Sequence, residues 1–98
     1  MTLTELKAIQ LADLFSALAD TSRVRIISTL LEKEMSVGVL AGKLKMSESA
    51  VSHQLRGLRQ LRLIRGRKEG RQVFYYLDDE HVTRLFRMGL DHVEHGWK

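Results

Sequence analysis

SESAVSHQLRGLRQL, residues 47–61, has an apolar side and a polar side when it is drawn as a helix. At about 100° per residue, Val51, Leu55, Leu58 and Leu61 cluster together, while Ser49, Ser52, His53 and Arg56 fall opposite. Gln54 sits at the border, where it can serve either packing or contact. Ser47 places an N-cap hydroxyl at the start. Hydroxyls, an imidazole, an amide and a guanidinium are the groups that reach base edges and phosphates in a DNA groove. In an all-α bundle this polar face would have no purpose, so the flanking segments decide the fold.

Downstream the hydrophobic period changes. Residues 63–68 and 72–77 read as two strands around a hairpin tip at Glu69, Gly70 and Arg71. Upstream, Ser36 can cap a short third helix carrying Val39, Leu40 and Leu44, with Lys45 and Met46 as a tight connection. Leu6, Ile9, Leu14 and Leu18, widened by Leu11 and Phe15, predict a first helix over about residues 4–19. Asp20, Thr21 and Ser22 offer cap chemistry for a second over about 22–33. A last helix is expected from near Asp79 to about His95, with Gly96 as its stop. The order α-α-α-α-β-β-α predicts a mainly α fold with a β-hairpin, a winged helix-turn-helix, in a single domain over residues 1–98.

The chain has 98 residues and no cysteine, which excludes disulfides, thiolate ligands and redox-active thiols. No apolar run approaches the ~18 residues of a membrane span. The start, MTLTELKAIQ, lacks a signal-peptide pattern, so the expected location is the cytoplasm. No nucleophile and base stand together, so an enzyme is not expected. Net charge is +4, yet residues 56–71 carry seven basic residues and one acid. That stretch is therefore +6 and the remainder −2, a distribution that suits a polyanion on one side. Contacts to double-stranded DNA are expected from Ser47, Ser49, Ser52, His53, Gln54 and Arg56 on the fourth helix. Lys68, Arg71 and Gln72 of the hairpin would touch backbone or minor groove.

DDEHVTRLFRMGLDHVEHG, residues 78–96, holds three of the four histidines. Asp79, His81, His92 and His95 have the chemistry of metal ligands. His81 and His92 share a helix face but lie about 16.5 Å apart along the axis, at about 1.5 Å per residue. Zinc–nitrogen bonds are about 2.0–2.1 Å, so one helix cannot bring both pairs to one ion. A two-fold antiparallel pair of helices can, with Asp79 and His81 from one chain and His92 and His95 from the other. Three imidazoles and a carboxylate suit tetrahedral Zn²⁺, with Co²⁺ or Ni²⁺ as alternatives. Four protein ligands close the shell, which argues for a sensor or structural site over a hydrolytic one.

ALADTSRVRIISTL, SVGVLAGKLKMSESAVSHQLRGLRQLRLI and RKEGRQVFYYL resemble the ArsR/SmtB family of metal-responsive winged-helix repressors. The resemblance spans about residues 12–95, and SESAVSHQLRGLR is its most specific block. One departure is Thr21, where many members carry proline. The resemblance implies a homodimer with the first and last helices at the interface, bound to an imperfect palindromic operator. It also implies the ligand pattern D-x-H-x10-H-x2-[H/E], met here by Asp79, His81, His92 and His95. Apo protein would repress and zinc would release the DNA. Members that sense thiophilic metals place cysteines in the third helix or the N-terminal tail, where this chain has none. Two other classes stay open at this point: a DNA-binding regulator with a structural zinc or no metal response, and a zinc-buffering dimer.

Overall fold

The computed structural model describes residues 2–97. Its elements are α1 Glu5–Leu18, α2 Thr21–Leu30, β1 Met35–Ser36, α3 Val37–Leu44, α4 Glu48–Gln60, β2 Ile64–Glu69, β3 Gln72–Leu77 and α5 Glu80–Glu94. Every helix opens on a residue that caps it. Thr4, Asp20, Ser36, Ser47 and Asp79 each accept a hydrogen bond from the backbone N–H three residues on. Because Asp20 supplies that cap for α2, Thr21 in place of proline costs the helix start nothing.

The expected architecture is present, with three local differences. The second helix stops at Leu30, not near residue 33, and gives way to a turn at Leu31 and Glu32. The hairpin strand begins at Ile64, and its tip is only Gly70 and Arg71, because Glu69 pairs with Gln72. Gly70 takes φ 64° at the first turn position, a conformation glycine adopts freely in two-residue hairpins. Third, Met35 and Ser36 form an additional strand against β3, giving a three-stranded antiparallel sheet in the order β1-β3-β2.

The core gathers where α2, α3 and α4 meet. Ile26, Ile27, Leu40, Val51 and Leu58 are fully buried, and Leu30, Met35, Ala41, Leu44, Leu55, Leu63, Ile64 and Val82 complete the cluster. Lys45 turns the chain between α3 and α4 with φ 55°, and Met46 N–H returns to the Ala41 carbonyl at 3.1 Å. This left-handed step packs α4 onto α3 with its apolar stripe inward.

A polar brace holds the same three-helix unit to α1. The Arg23 guanidinium donates to the Ala17 carbonyl and to Gln54 Oε1, both at 3.0 Å. Gly57 leaves room for it, since a Cβ there would stand 3.0 Å from an Arg23 nitrogen. Charge-assisted bonds of this kind, half-buried, leave costly orphans when one partner is removed. Arg23→Leu is expected to lower the unfolding free energy by about 1–3 kcal/mol, measured by urea denaturation.

Candidate nucleic-acid interface and metal half-sites

α4 presents the predicted face except at Leu61, expected inside but standing past the last turn as the C-cap and 39% exposed. Val51, Leu55 and Leu58 are buried, and Ser49, Ser52, His53 and Arg56 are exposed. Ser47 is exposed too, and its hydroxyl accepts from Ala50 N–H at 3.0 Å. Gln54 is half-buried with its amide oxygen committed to Arg23, which is the packing role. Lys68, Arg71 and Gln72 are exposed on the hairpin.

The structure divides the basic stretch of residues 56–71 into two groups. Arg65 pairs with Asp78 at 3.5 Å, and Arg67 pairs with Glu34 and Glu69 while lying over the Phe74 ring, 5.1 Å from its centroid. Arg56, Arg59, Arg62, Lys68 and Arg71 have no ion pair or side-chain hydrogen bond among the described residues. Five cations are therefore left for an external polyanion. A groove beside α4 is lined by Ser52, Arg56, Arg59, Gln60 and Tyr75. Arg59, Gln60 and Tyr75 were not singled out by sequence reasoning, because a strand tyrosine reads as packing and the two helix residues read as solvated.

Arg67 anchors the hairpin to the loop after α2. Its Nε donates to both carboxylate oxygens of Glu34 at 3.0 Å, and this bond holds the Glu34 carboxyl below its ordinary range. The same contacts, with Glu69 second, push the Arg67 guanidinium up.

At the other end of the sheet, Asp79 is the extended N-cap of α5, with φ −155° and ψ 179°. Its Oδ1 accepts from Val82 N–H at 3.1 Å and lies 3.4 Å from His81 Nδ1. The Val82 bond, above all, lowers its carboxyl pKa. Asp79 and His81 are thus together. His92 lies in the last turn, its ring 5.6 Å from the Trp97 ring at a 50° tilt. His95 is the C-cap, and its Nδ1 meets the Asp91 carbonyl at 2.7 Å. A carbonyl only accepts, so Nδ1 is the donor there, with the Asp91 carboxylate also 3.3 Å away, and Nε2 is the nitrogen left to face a ligand.

No three histidine, aspartate or glutamate residues gather to hold an ion among the described residues of one chain. Asp79 and His81 adjoin at the start of α5, and His92 and His95 lie at its end. Three neutral imidazoles and one carboxylate from two chains fit the donor chemistry of a tetrahedral cation.

Residues 20–65 match the pattern described as "Bacterial regulatory protein, arsR family". The chain is 52% identical over 88 residues to a transcriptional repressor SmtB homolog of Synechocystis sp., covering 90% of this chain and 67% of that one. The chain belongs to the ArsR family. ArsR-family proteins are transcriptional regulators, not enzymes, and this chain shares their fold. It is 43% identical to the regulator NmtR of Mycobacterium tuberculosis, over 90% of this chain and 73% of NmtR. The solution structure of apo-NmtR superimposes with TM-score 0.85 at 41% identity, covering 97% of this chain and 80% of that one. A homodimeric winged helix-turn-helix domain, Mb0332 of Mycobacterium bovis, gives TM-score 0.86 at 27% identity, covering 100% and 94%. No helix of the ArsR-family chain, among the described residues, is long and apolar enough to cross a membrane.

The Glu34–Arg67 anchor has a pH signature. Folding lowers the Glu34 pKa, so its contribution is full above the ordinary carboxylate value and fades as pH falls through the folded value. Wild type is expected to exceed Glu34→Gln in stability at about pH 7, with the gap narrowing once pH falls below the ordinary carboxylate range. Urea titrations across that range measure the difference.

Proposed function

We propose that this protein is a zinc-responsive transcriptional repressor that acts as a homodimer. The apo dimer binds operator DNA through α4 and the β2–β3 hairpin, and metal at the junction of the α5 helices weakens that binding. The observation that carries this reading is the separation of two donor pairs on one helix. Asp79 and His81 are adjacent at its start, and His92 and His95 stand at its end. Each pair is incomplete alone, and an antiparallel partner completes both.

Exposed apolar surface supports the dimer. α1 has no fully buried residue, with only Leu14 and Leu18 packed partly against the core, and Leu6, Ile9 and Phe15 are more than half exposed. Met88 and Val93 of α5 are likewise exposed, beside a groove lined by Leu18, Val24, Phe86 and Leu90. A surface of this kind on a small domain asks for a cover. The homodimeric relative Mb0332 and the repressor named for Synechocystis agree with this reading.

On the DNA side, Ser47, Ser49, Ser52 and His53 approach base edges or nearby backbone, and Arg56, Lys68, Arg71 and Gln72 hold the backbone. Zinc is held by Asp79 and His81 of one subunit with His92 and His95 of the partner subunit. It supplies a cross-link between subunits, and its effect on DNA requires tighter binding to the conformer with lower DNA affinity. Co²⁺ or Ni²⁺ would use the same donors. Asp79 also has a cap to maintain, which favours one second reading, a regulator whose α5 residues serve structure alone.

Two experiments separate these readings. Arg56→Ala is expected to weaken binding across DNA sequences and to flatten the salt dependence, whereas Ser52→Ala and His53→Ala change sequence preference. Binding measured by fluorescence anisotropy and unchanged in all three would remove α4 as the reader. For the metal, a mixed dimer of His81→Ala with His92→Ala is expected to recover one tight zinc site. Ligands that cross the interface leave one site intact, whereas sites built within one chain would both be damaged. Operator affinity of apo and zinc-loaded wild type then reads the coupling; a tenfold loss corresponds to ~1.4 kcal/mol. Equal affinities would make the site structural.

A further inference from the structure

The groove between α4 and β3 differs from its neighbours in one chemical respect. Ser52, Arg56, Arg59, Gln60 and Tyr75 line it, and each can donate a hydrogen bond while none is acidic. Arg59 also borders the groove past the end of α4, which contains Asp78, and Tyr75 also borders the one beside the N-terminus of α3, which contains Glu48. Only the first is free of carboxylates among these three.

Its two guanidiniums are also uncommitted. Arg65 and Arg67 are engaged by acids of the chain, but Arg56 and Arg59 have no ion pair or side-chain hydrogen bond among the described residues. Arg56 and Arg59, at i and i+3, project from neighbouring positions on the helix surface. Two planar forks with hydroxyl donors beside them are suited to the oxygens of a phosphate.

The wall opposite the helix is fixed in advance. Tyr75 lies on the central strand, paired with Met35 on one side and Gly66 on the other. Its ring lies so close to Gly66 that a Cβ there would stand 3.3 Å from Cε1, and 2.9 Å from Val73 Cγ1. Glycine at this position admits the ring against the sheet. A donor held on a central strand loses little freedom when it binds.

We propose that this groove is a seat for one backbone phosphate of duplex DNA, with Arg56 and Arg59 as its charges and Tyr75 as its fixed wall. It deepens the DNA-binding reading above and rests on it. The phosphodiester enters at the seam between the recognition helix and the hairpin. It thereby sets how far α4 sits into the groove, and the seat is blind to sequence.

The test uses full-length protein and a mixed-sequence duplex of roughly 30 base pairs, with affinity followed by anisotropy over a series of salt concentrations. Arg59→Ala is expected to weaken binding and to reduce the slope of log K against log salt by about 0.9, the release from one phosphate. Arg62→Ala removes the same charge just past the helix end, outside this groove, and is expected to change the slope by less than half as much. Tyr75→Phe is expected to bind about two- to tenfold more weakly with the slope unchanged, because the phenol carries no charge. Unfolding curves matching wild type show that each variant is folded. Equal slope changes for Arg59→Ala and Arg62→Ala, or wild-type affinity in Tyr75→Phe, would overturn the seat while leaving DNA binding in place. Failure of the wild type to bind the duplex at all would overturn the DNA-binding reading itself.

Discussion

The burial of one stripe on α4 governs the rest of this structure. Val51, Leu55 and Leu58 are at most 1% exposed, packed among Ile26, Ile27 and Leu40. Burying such side chains contributes roughly 1.5–3 kcal/mol each. That is enough to fix the rotation of the helix about its axis, and a helix fixed on one side has its opposite side fixed too. Ser52, His53 and Arg56 face outward for this reason. The Lys45 turn before the helix and the Arg23–Gln54 bond at its middle reinforce the same rotation.

The periphery follows a different logic. α1 adds only Leu14 and Leu18 to the edge of the core, and the later half of α5 adds no buried residue. Every residue from 87 to 97 is exposed, although Leu90 and Val93 are apolar. The core of the domain is complete without them. Their apolar sides therefore express association, in the same way that a sheet face expresses the layer that covers it.

Most of this was legible in the sequence because it depends on period. Each helix has a cap residue, and the β-branched and aromatic run of residues 72–77 marks a strand. The distance of Asp79 and His81 from His92 follows from helix geometry, whereas their joining depends on the extended, non-helical backbone of Asp79. The features that escaped depend on pairings distant in sequence. Met35 and Ser36 form a strand too short to show a period, recognisable only when Tyr75 and Phe74 lie alongside. The Arg23–Gln54 bond spans 31 positions. Which arginines of residues 56–71 remain free for a partner depends on Glu34 and Asp78, both outside that stretch. Composition counts charges, but only packing shows which ones are already neutralised.

The two ends of α5 are mechanically unequal, and that bears on how the proposed metal site could influence DNA. At the first end, Asp78 N–H bonds the Leu63 carbonyl at 3.0 Å, Asp79 caps the helix, and Val82 is buried in the core. The Asp79–His81 pair is thus tied directly to the hairpin and to the end of α4. The His92–His95 pair stands on a stretch with no buried residue. In an antiparallel pair, each site joins the anchored end of one chain to the unanchored end of the other. Tension at such a site is resisted on the anchored side by the DNA-reading unit and on the other by little within the chain. The orientation of one subunit's α5 would thus be dictated by the other subunit's hairpin and α4. A cation held there would act on the relative placement of the two α4 helices, the quantity on which binding to a two-fold operator depends.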